Sequence, residues 1–322
     1  MTILLLLDVP PTMRQQYLDG VTSAFPDKKI HLVAKAEDVY PFLEDAEVLI
    51  THGPHMGKRA DELLNRMPNL RWIQGIGVGV DNIVDRPALK PHVRVTNIQG
   101  VHGPQMAEMA LLDMLALSRQ FPRTVHNKMK HRWERWTARL VQGKTLGILG
   151  VGSIAAAVAS RCQAMGMKVL GISNTVRDVP NFDKIYPISE IVSVVKQLDH
   201  FLVLTPYTPK THHLVDAKVL AAMKPSSYFL NLARGGVVDE SALLEVLRDK
   251  RIAGAALDVF EIEPLPAEHP FWDLDNLIIT CHQGSVHEDS ALQNLPVIIE
   301  NLSCYFQGRL SDMHNIILPG AI

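Results

Sequence analysis

Short apolar runs alternate with longer amphipathic stretches along most of the chain. ILLLL (3–7), IHLVA (30–34), VLI (48–50), RWIQ (71–74) and VRVTN (93–97) have the length and branched content of buried strands, and helical patterns such as 58–66 lie between them. This is the rhythm of parallel α/β units. The helical stretch QMAEMALLDMLALSRQF (105–121) then interrupts it, with Pro104 suited to its first turn. A second series follows: TLGILG (145–150), MKVLGI (167–172), HFLVL (200–204), SYFLNL (227–232), IAGAALD (252–258) and NLIIT (276–280), with a last helical segment over about 287–306. The pattern predicts two doubly wound parallel-sheet domains, divided by the break in rhythm near residue 100.

Composition narrows the setting. The chain has 322 residues, 47% hydrophobic and 20% charged, enough for two ordinary domains with sizeable cores. A net charge of -2 points away from nucleic acid and anionic membranes. Cys162, Cys281 and Cys304 form no CxxC pair, so neither a disulfide framework nor a metal site is expected. The run 3–7 has no basic leader and is too short to span a bilayer, which makes the cytoplasm the expected compartment.

The chemistry begins at GILGVGSIAAAVASRC (147–162). Gly150 and Gly152 stand between a predicted strand and a predicted helix, with the small Ala155 third, in the pattern of a dinucleotide fingerprint. Gly150 allows the tight turn, and Gly152 leaves room for a pyrophosphate at the helix N-terminus. The next strand ends GISNTVRD (171–178), where an acid for the ribose hydroxyls of NAD is expected and Ser173 stands instead. Ser173, Asn174 and Thr175 can donate hydrogen bonds to a 2′-phosphate and Arg177 offers a cationic fork, so the sequence predicts NADP as the preferred cofactor over NAD. Arg177 turned to solvent beside Asp178 would leave the site merely tolerant of both.

Three polar residues sit at or just past the carboxyl ends of late strands: Arg234 after SYFLNLA, Glu263 in DVFEIEP and His282 after NLIITC. Each alone fits a structural role, but ligands bind outside those strand ends in doubly wound folds, and together the three suit hydride transfer to a 2-keto acid. Arg234 would hold the carboxylate with a bidentate fork. His282 would protonate the nascent alkoxide, and Glu263 would orient the imidazole.

These segments, with NLARGGVVDE and ALDVFEIEPL, resemble the D-isomer-specific 2-hydroxyacid dehydrogenase family, which includes glyoxylate/hydroxypyruvate reductases and phosphoglycerate dehydrogenases. The resemblance covers nearly the whole chain and is strongest over about 145–285. It implies a flavodoxin-like substrate domain (1–99 and 287–322) interrupted by a Rossmann NAD(P)-binding domain (100–286), and a homodimer built largely by the inserted domain. It assigns catalysis to Arg234, Glu263 and His282, and the substrate carboxylate to the amides of Val78 and Gly79 in GIGVGVDN (75–82). Asp81 and Asn82 are expected to cap the following helix rather than touch substrate. The cofactor is expected to meet Gly150, Gly152, Ser153, Ile154, Ser173, Asn174, Arg177, Thr205, Pro206, Leu232, Ala233, Asp258 and Gly284, without a metal.

Departures from the family pattern are Cys281 in place of the usual proline, Gln283 after the histidine, and His102 and Gln105 ahead of the long helix. In some relatives a tryptophan near Trp133 and Trp136 reaches the partner's active site, although core or interface packing explains either residue here. His52 and His55 stand in a loop that would help choose the keto acid. Formate or phosphite oxidation on the same scaffold, and a cofactor-sensing corepressor-like protein, are the alternatives. Relatives that oxidise formate carry glutamine where Glu263 stands, whereas phosphite oxidation keeps a similar trio.

Overall fold

The computed structural model describes residues 1–320. The chain divides into two compact units, residues 1–101 together with the chain from His287 onward, and residues 102–286.

In the first unit β1 (Thr2–Leu6), β2 (Lys29–Val33), β3 (Ala46–Thr51), β4 (Trp72–Gly75) and β5 (Arg94–Thr96) form a parallel sheet in the order β5-β4-β3-β1-β2. That is the flavodoxin-like order. Ile3 to Leu7 are fully buried, as expected for a central strand covered on both faces. One face carries the helices Pro11–Ala24 and Ser290–Phe306, which meet through Tyr17, Val21, Leu295 and Ile298. They approach closely at Gly20, where a Cβ would fall 2.5 Å from the Leu295 side chain. The other face is covered by Leu43, Ala60, Leu63 and Leu64.

In the second unit β6 (Thr145–Leu149), β7 (Lys168–Ser173), β8 (Lys184–Pro187), β9 (His200–Val203), β10 (Tyr228–Asn231), β11 (Gly254–Leu257) and β12 (Leu277–Ile279) form a parallel sheet in the order β8-β7-β6-β9-β10-β11-β12. This is the Rossmann order with a seventh strand, and the order reverses at β6, the strand that leads into the glycine turn. The helix Gly103–Arg119 packs on Ser153–Ala164 over one face, and Val194, Leu220, Leu243 and Phe271 fill the other.

Some elements differ from the sequence pattern. The strand Lys184–Pro187 and the strand Ile316–Leu318, which pairs antiparallel with β5, are edge strands with few buried side chains, so neither leaves an apolar signature. Residues 81–85 form turns, so Asp81 and Asn82 do not cap a helix; Asn82 has φ +62° and accepts a hydrogen bond from Arg86. Trp133 is 92% exposed and packs in no core, while Trp136 lies beneath the Arg123 guanidinium, 4.7 Å from ring centre to carbon. Among the described residues, no helix is long and apolar enough to cross a membrane.

Candidate active site

The glycine turn follows β6 directly. Gly150 has φ +97°, and a Cβ there would lie 2.7 Å from the amide nitrogen of Thr205, so both conformation and space require glycine. Nothing stands within 4 Å of the Cβ position at Gly152, which caps the helix Ser153–Ala164. The first turn of that helix therefore presents unshared amides beside open space, the arrangement that takes a pyrophosphate. Ser153 is exposed, Ile154 half-buried, and Ala155 buried against the sheet. Thr205 is buried and Pro206 exposed at the end of β9, the neighbouring strand.

Beyond β7, the Ser173 hydroxyl accepts the Thr175 N–H at 3.3 Å, and Asn174 and Thr175 are exposed. Arg177 is exposed, but its guanidinium is tied to the protein. Its Nη2 donates to the carbonyl of Val151, inside the glycine turn, at 2.8 Å. The guanidinium is thereby held at the end of β7 where a cofactor's adenosine ribose lies in this fold.

Arg234 follows β10 through a short fixed turn. The Asn231 side chain brackets it, accepting the Ala233 N–H at 3.1 Å and donating to the Arg234 carbonyl at 2.9 Å. Leu232 and Ala233 are buried. The Arg234 Nη1 donates to the carbonyl of Ala233 at 2.6 Å. Gly235 touches the loop after β11 so closely that a Cβ would fall 1.9 Å from the carbonyl carbon of Phe260.

The histidine loop hangs on Asp258. One carboxylate oxygen accepts from the Thr280 hydroxyl (2.5 Å) and the Gln283 N–H (2.8 Å), and the other accepts the Gly284 N–H (2.9 Å). The Asp258 carbonyl accepts the His282 N–H at 2.8 Å. These bonds hold His282 at φ +54°, a conformation that costs a non-glycine residue energy and is kept by its surroundings. Gly284 is needed for room, because a Cβ there would lie 3.0 Å from both Asp258 and Met106.

His282 Nδ1 lies 2.8 Å from Glu263 Oε2, and Glu263 Oε1 accepts the Phe260 N–H at 3.0 Å. Burial pushes the Glu263 carboxyl up, but the hydrogen bond and charge of His282, the Phe260 N–H and the Arg234 charge together hold it below its ordinary value. The carboxylate is thus ionised at neutral pH and binds the Nδ1 side of the imidazole.

Two further residues near the site escaped the sequence reading. Asp113, on the inward face of the helix Gly103–Arg119, is 2% exposed; burial and then the charge of Asp258 push its carboxyl up to about 7. Its position follows the spacing of Met106 and Ala110, which marks it in the sequence as a polar residue on an apolar stripe. Asn231 is the second, a buried polar residue closing an otherwise apolar strand.

Val78 and Gly79 belong to the first unit, in the loop after β4, where the Asn97 amide donates to the Val78 carbonyl at 2.6 Å. In the same unit His55 is held against the Leu6 carbonyl (3.4 Å) and burial lowers its pKa, while the His52 ring packs on His55, with centroids 5.3 Å apart. His102 and Gln105, in the second unit, contact each other at 3.0 Å. Among the described residues, no group of three or more His, Cys, Asp or Glu is arranged to hold a metal ion.

The profile of the NAD binding domain of D-isomer specific 2-hydroxyacid dehydrogenases matches residues 111–284. The chain is 32% identical over 279 residues to D-3-phosphoglycerate dehydrogenase of Methanocaldococcus jannaschii, a match spanning 86% of this chain and 53% of that protein. It is 31% identical over 257 residues to glyoxylate reductase of Korarchaeum cryptofilum, covering 77% of each chain. Among solved structures, a D-isomer specific 2-hydroxyacid dehydrogenase family protein from Aeromonas salmonicida superposes with TM-score 0.87 at 30% identity over 98% of both chains. An NADPH-dependent glyoxylate/hydroxypyruvate reductase from Sinorhizobium meliloti, in complex with NADP and sulfate, gives 0.83 at 25% identity over 99% of this chain and 98% of that one. The NAD-dependent formate dehydrogenase of Staphylococcus aureus, in complex with NAD, gives 0.87 at 25% over the whole of both chains. The chain belongs to the D-isomer specific 2-hydroxyacid dehydrogenase family. It is an enzyme of nicotinamide-dependent hydroxyacid chemistry, and its second unit is the NAD(P)-binding one.

Proposed function

We propose that the enzyme transfers a hydride between a nicotinamide cofactor and a small 2-keto or 2-hydroxy acid of the glyoxylate or hydroxypyruvate type, giving the D-isomer where the product is chiral. The observation that carries this reading is the 2.8 Å contact between His282 and an ionised Glu263, on a loop that packs against the residue next to Arg234. Bound NADPH or NADH supplies the hydride. Arg234 holds the substrate carboxylate and polarises the carbonyl oxygen, and its grip strengthens as charge builds on that oxygen. His282 gives its Nε2 proton to the oxygen, while Glu263 keeps the ring oriented. Glu263, rather than the glutamine of formate-oxidising relatives, supports proton donation over formate oxidation. The assignment of Val78 and Gly79 to the substrate carboxylate rests on the family resemblance.

NADPH is proposed as the preferred cofactor. Ser173 stands where an acid would repel a 2′-phosphate, and the bond of Arg177 to Val151 holds its guanidinium beside the glycine turn. A homodimer is proposed as well, in keeping with the exposed apolar side chains of Phe121, Val125, Met129, Trp133 and Leu140 in the second unit. A panel of 2-keto acids, with formate and phosphite as reverse-direction substrates, assayed with both cofactors, tests the reading. Turnover confined to the keto acids supports it, and turnover confined to formate or phosphite overturns it.

A further inference from the structure

We infer that Glu240 is a positioning residue for the Glu263–His282 pair and acts through the peptide group between Phe260 and Glu261. The inference rests on the reading of that pair as the proton-donating device.

Glu240 opens the helix Glu240–Arg248, a helix fixed at its start by the Asp239 side chain, which accepts the Ala242 N–H at 3.0 Å. Glu240 Oε1 accepts the N–H of Glu261 at 2.7 Å. The other end of the same peptide, the Phe260 carbonyl, lies flush on Gly235. This one peptide is therefore held from two sides, by a carboxylate and by the backbone next to Arg234. The residue on its amino side, Phe260, gives its own N–H to Glu263 Oε1, and the other oxygen of Glu263 takes His282. A path of hydrogen bonds joined through the backbone of Phe260 and Glu261 runs from Glu240 to the imidazole, with Gly235 packed against its middle.

The surroundings make Glu240 suited to this role. Burial pushes its carboxyl up to about 7; the Glu261 N–H opposes the rise, the charges of Glu261 and Glu263 add to it, and His213 opposes it. His213 itself meets Glu261 Oε1 at 2.7 Å, so the Glu261 side chain is occupied. When Glu263 titrates, at a pH below its ordinary value, Glu240 is already neutral and its carbonyl oxygen still accepts. The hydrogen bond rather than the charge is then what Glu240 contributes, and glutamine supplies the same acceptor.

The test follows the Glu263 carboxyl by carbon NMR in the folded protein, beside steady-state kinetics, in wild type, Glu240→Gln and Glu240→Ala. With Glu240→Ala, the pKa of Glu263 is expected to rise, because the loop no longer holds it against Phe260 and His282. The value of kcat is expected to fall by roughly ten- to a hundredfold, with the cofactor Kd nearly unmoved. Glu240→Gln is expected to restore most of both. If Glu240→Ala does not fold, Glu240→Met fills the same space without an acceptor and carries the comparison. An unmoved Glu263 titration in the acceptor-free variant overturns the inference, and so does a glutamine variant as impaired as alanine. The titration needs no substrate, so it reads the positioning even if no keto acid is turned over.

Discussion

Glu263 divides its two carboxylate oxygens between the Phe260 N–H, at 3.0 Å, and His282 Nδ1, at 2.8 Å. The first bond fixes the carboxylate to its own loop, and the second passes that fixity to the imidazole. The tie to His282 is also among the forces that keep the Glu263 carboxyl below its ordinary value.

Glu263→Gln keeps the shape and one acceptor but loses the negative charge beside the imidazole. The rate of reduction is expected to fall, because the donor loses the charged partner that orients it. Cofactor affinity is expected to stay the same. A reduction rate equal to the wild-type one contradicts the pairing.

Arg234→Lys retains the charge and loses the planar fork, so kcat/KM for a keto acid is expected to fall by about a hundredfold, and Arg234→Ala by more. Saturation kinetics in the two variants, with cofactor binding measured separately, check the order. An alanine variant within a few-fold of wild type removes Arg234 from the substrate.

Asp113 bears on stability. Its folded-state pKa, about 7, lies above the ordinary carboxyl value, so the stability linked to its protonated form is fully present below about pH 4 and is lost as pH rises through 7. Each tenfold change in proton affinity corresponds to about 1.4 kcal/mol, so the loss amounts to a few kcal/mol. Asp113→Asn is therefore expected to raise Tm relative to wild type at pH 8.5 by several degrees, and to change it little at pH 4. Thermal melts at the two pH values decide it, and an equal difference at both contradicts the burial argument.

The cofactor reading predicts a kcat/KM ratio, NADPH over NADH, of about ten to a hundred, since a charge-assisted contact contributes about 1.5–3 kcal/mol. Ser173→Asp, which restores the repelling acid, is expected to invert the ratio, and Arg177→Ala to bring it toward one. A wild-type ratio below one, or an aspartate variant that leaves it unmoved, contradicts the preference.

Much of the architecture was legible because buried parallel strands such as Ile3–Leu7 and Tyr228–Asn231 are made almost wholly of apolar residues, and because Gly150 and Gly152 sit where strand gives way to helix. The positions of Arg234, Glu263 and His282 after strand ends were legible for the same reason. What escaped is tertiary. The strand Lys184–Pro187 buries one side chain, too few to show a period. Trp133 suits core or interface packing by type, and its 92% exposure in an irregular stretch removes only the core. The grip of Asp258 on the histidine loop and of Glu240 on Glu261 joins residues 25 and 21 positions apart, and nothing in local composition marks such pairs.

The central claim is tested most directly by the disappearance of NADPH on adding glyoxylate or hydroxypyruvate, followed for wild type and His282→Ala at equal cofactor occupancy. Wild type is expected to consume the cofactor in step with the keto acid and to form D-glycerate from hydroxypyruvate. His282→Ala is expected to bind cofactor normally and to turn over slower by about a hundredfold or more, for want of the proton donor. Wild-type protein that consumes neither NADPH nor NADH with any small 2-keto acid, or a His282→Ala variant as fast as wild type, would contradict the account.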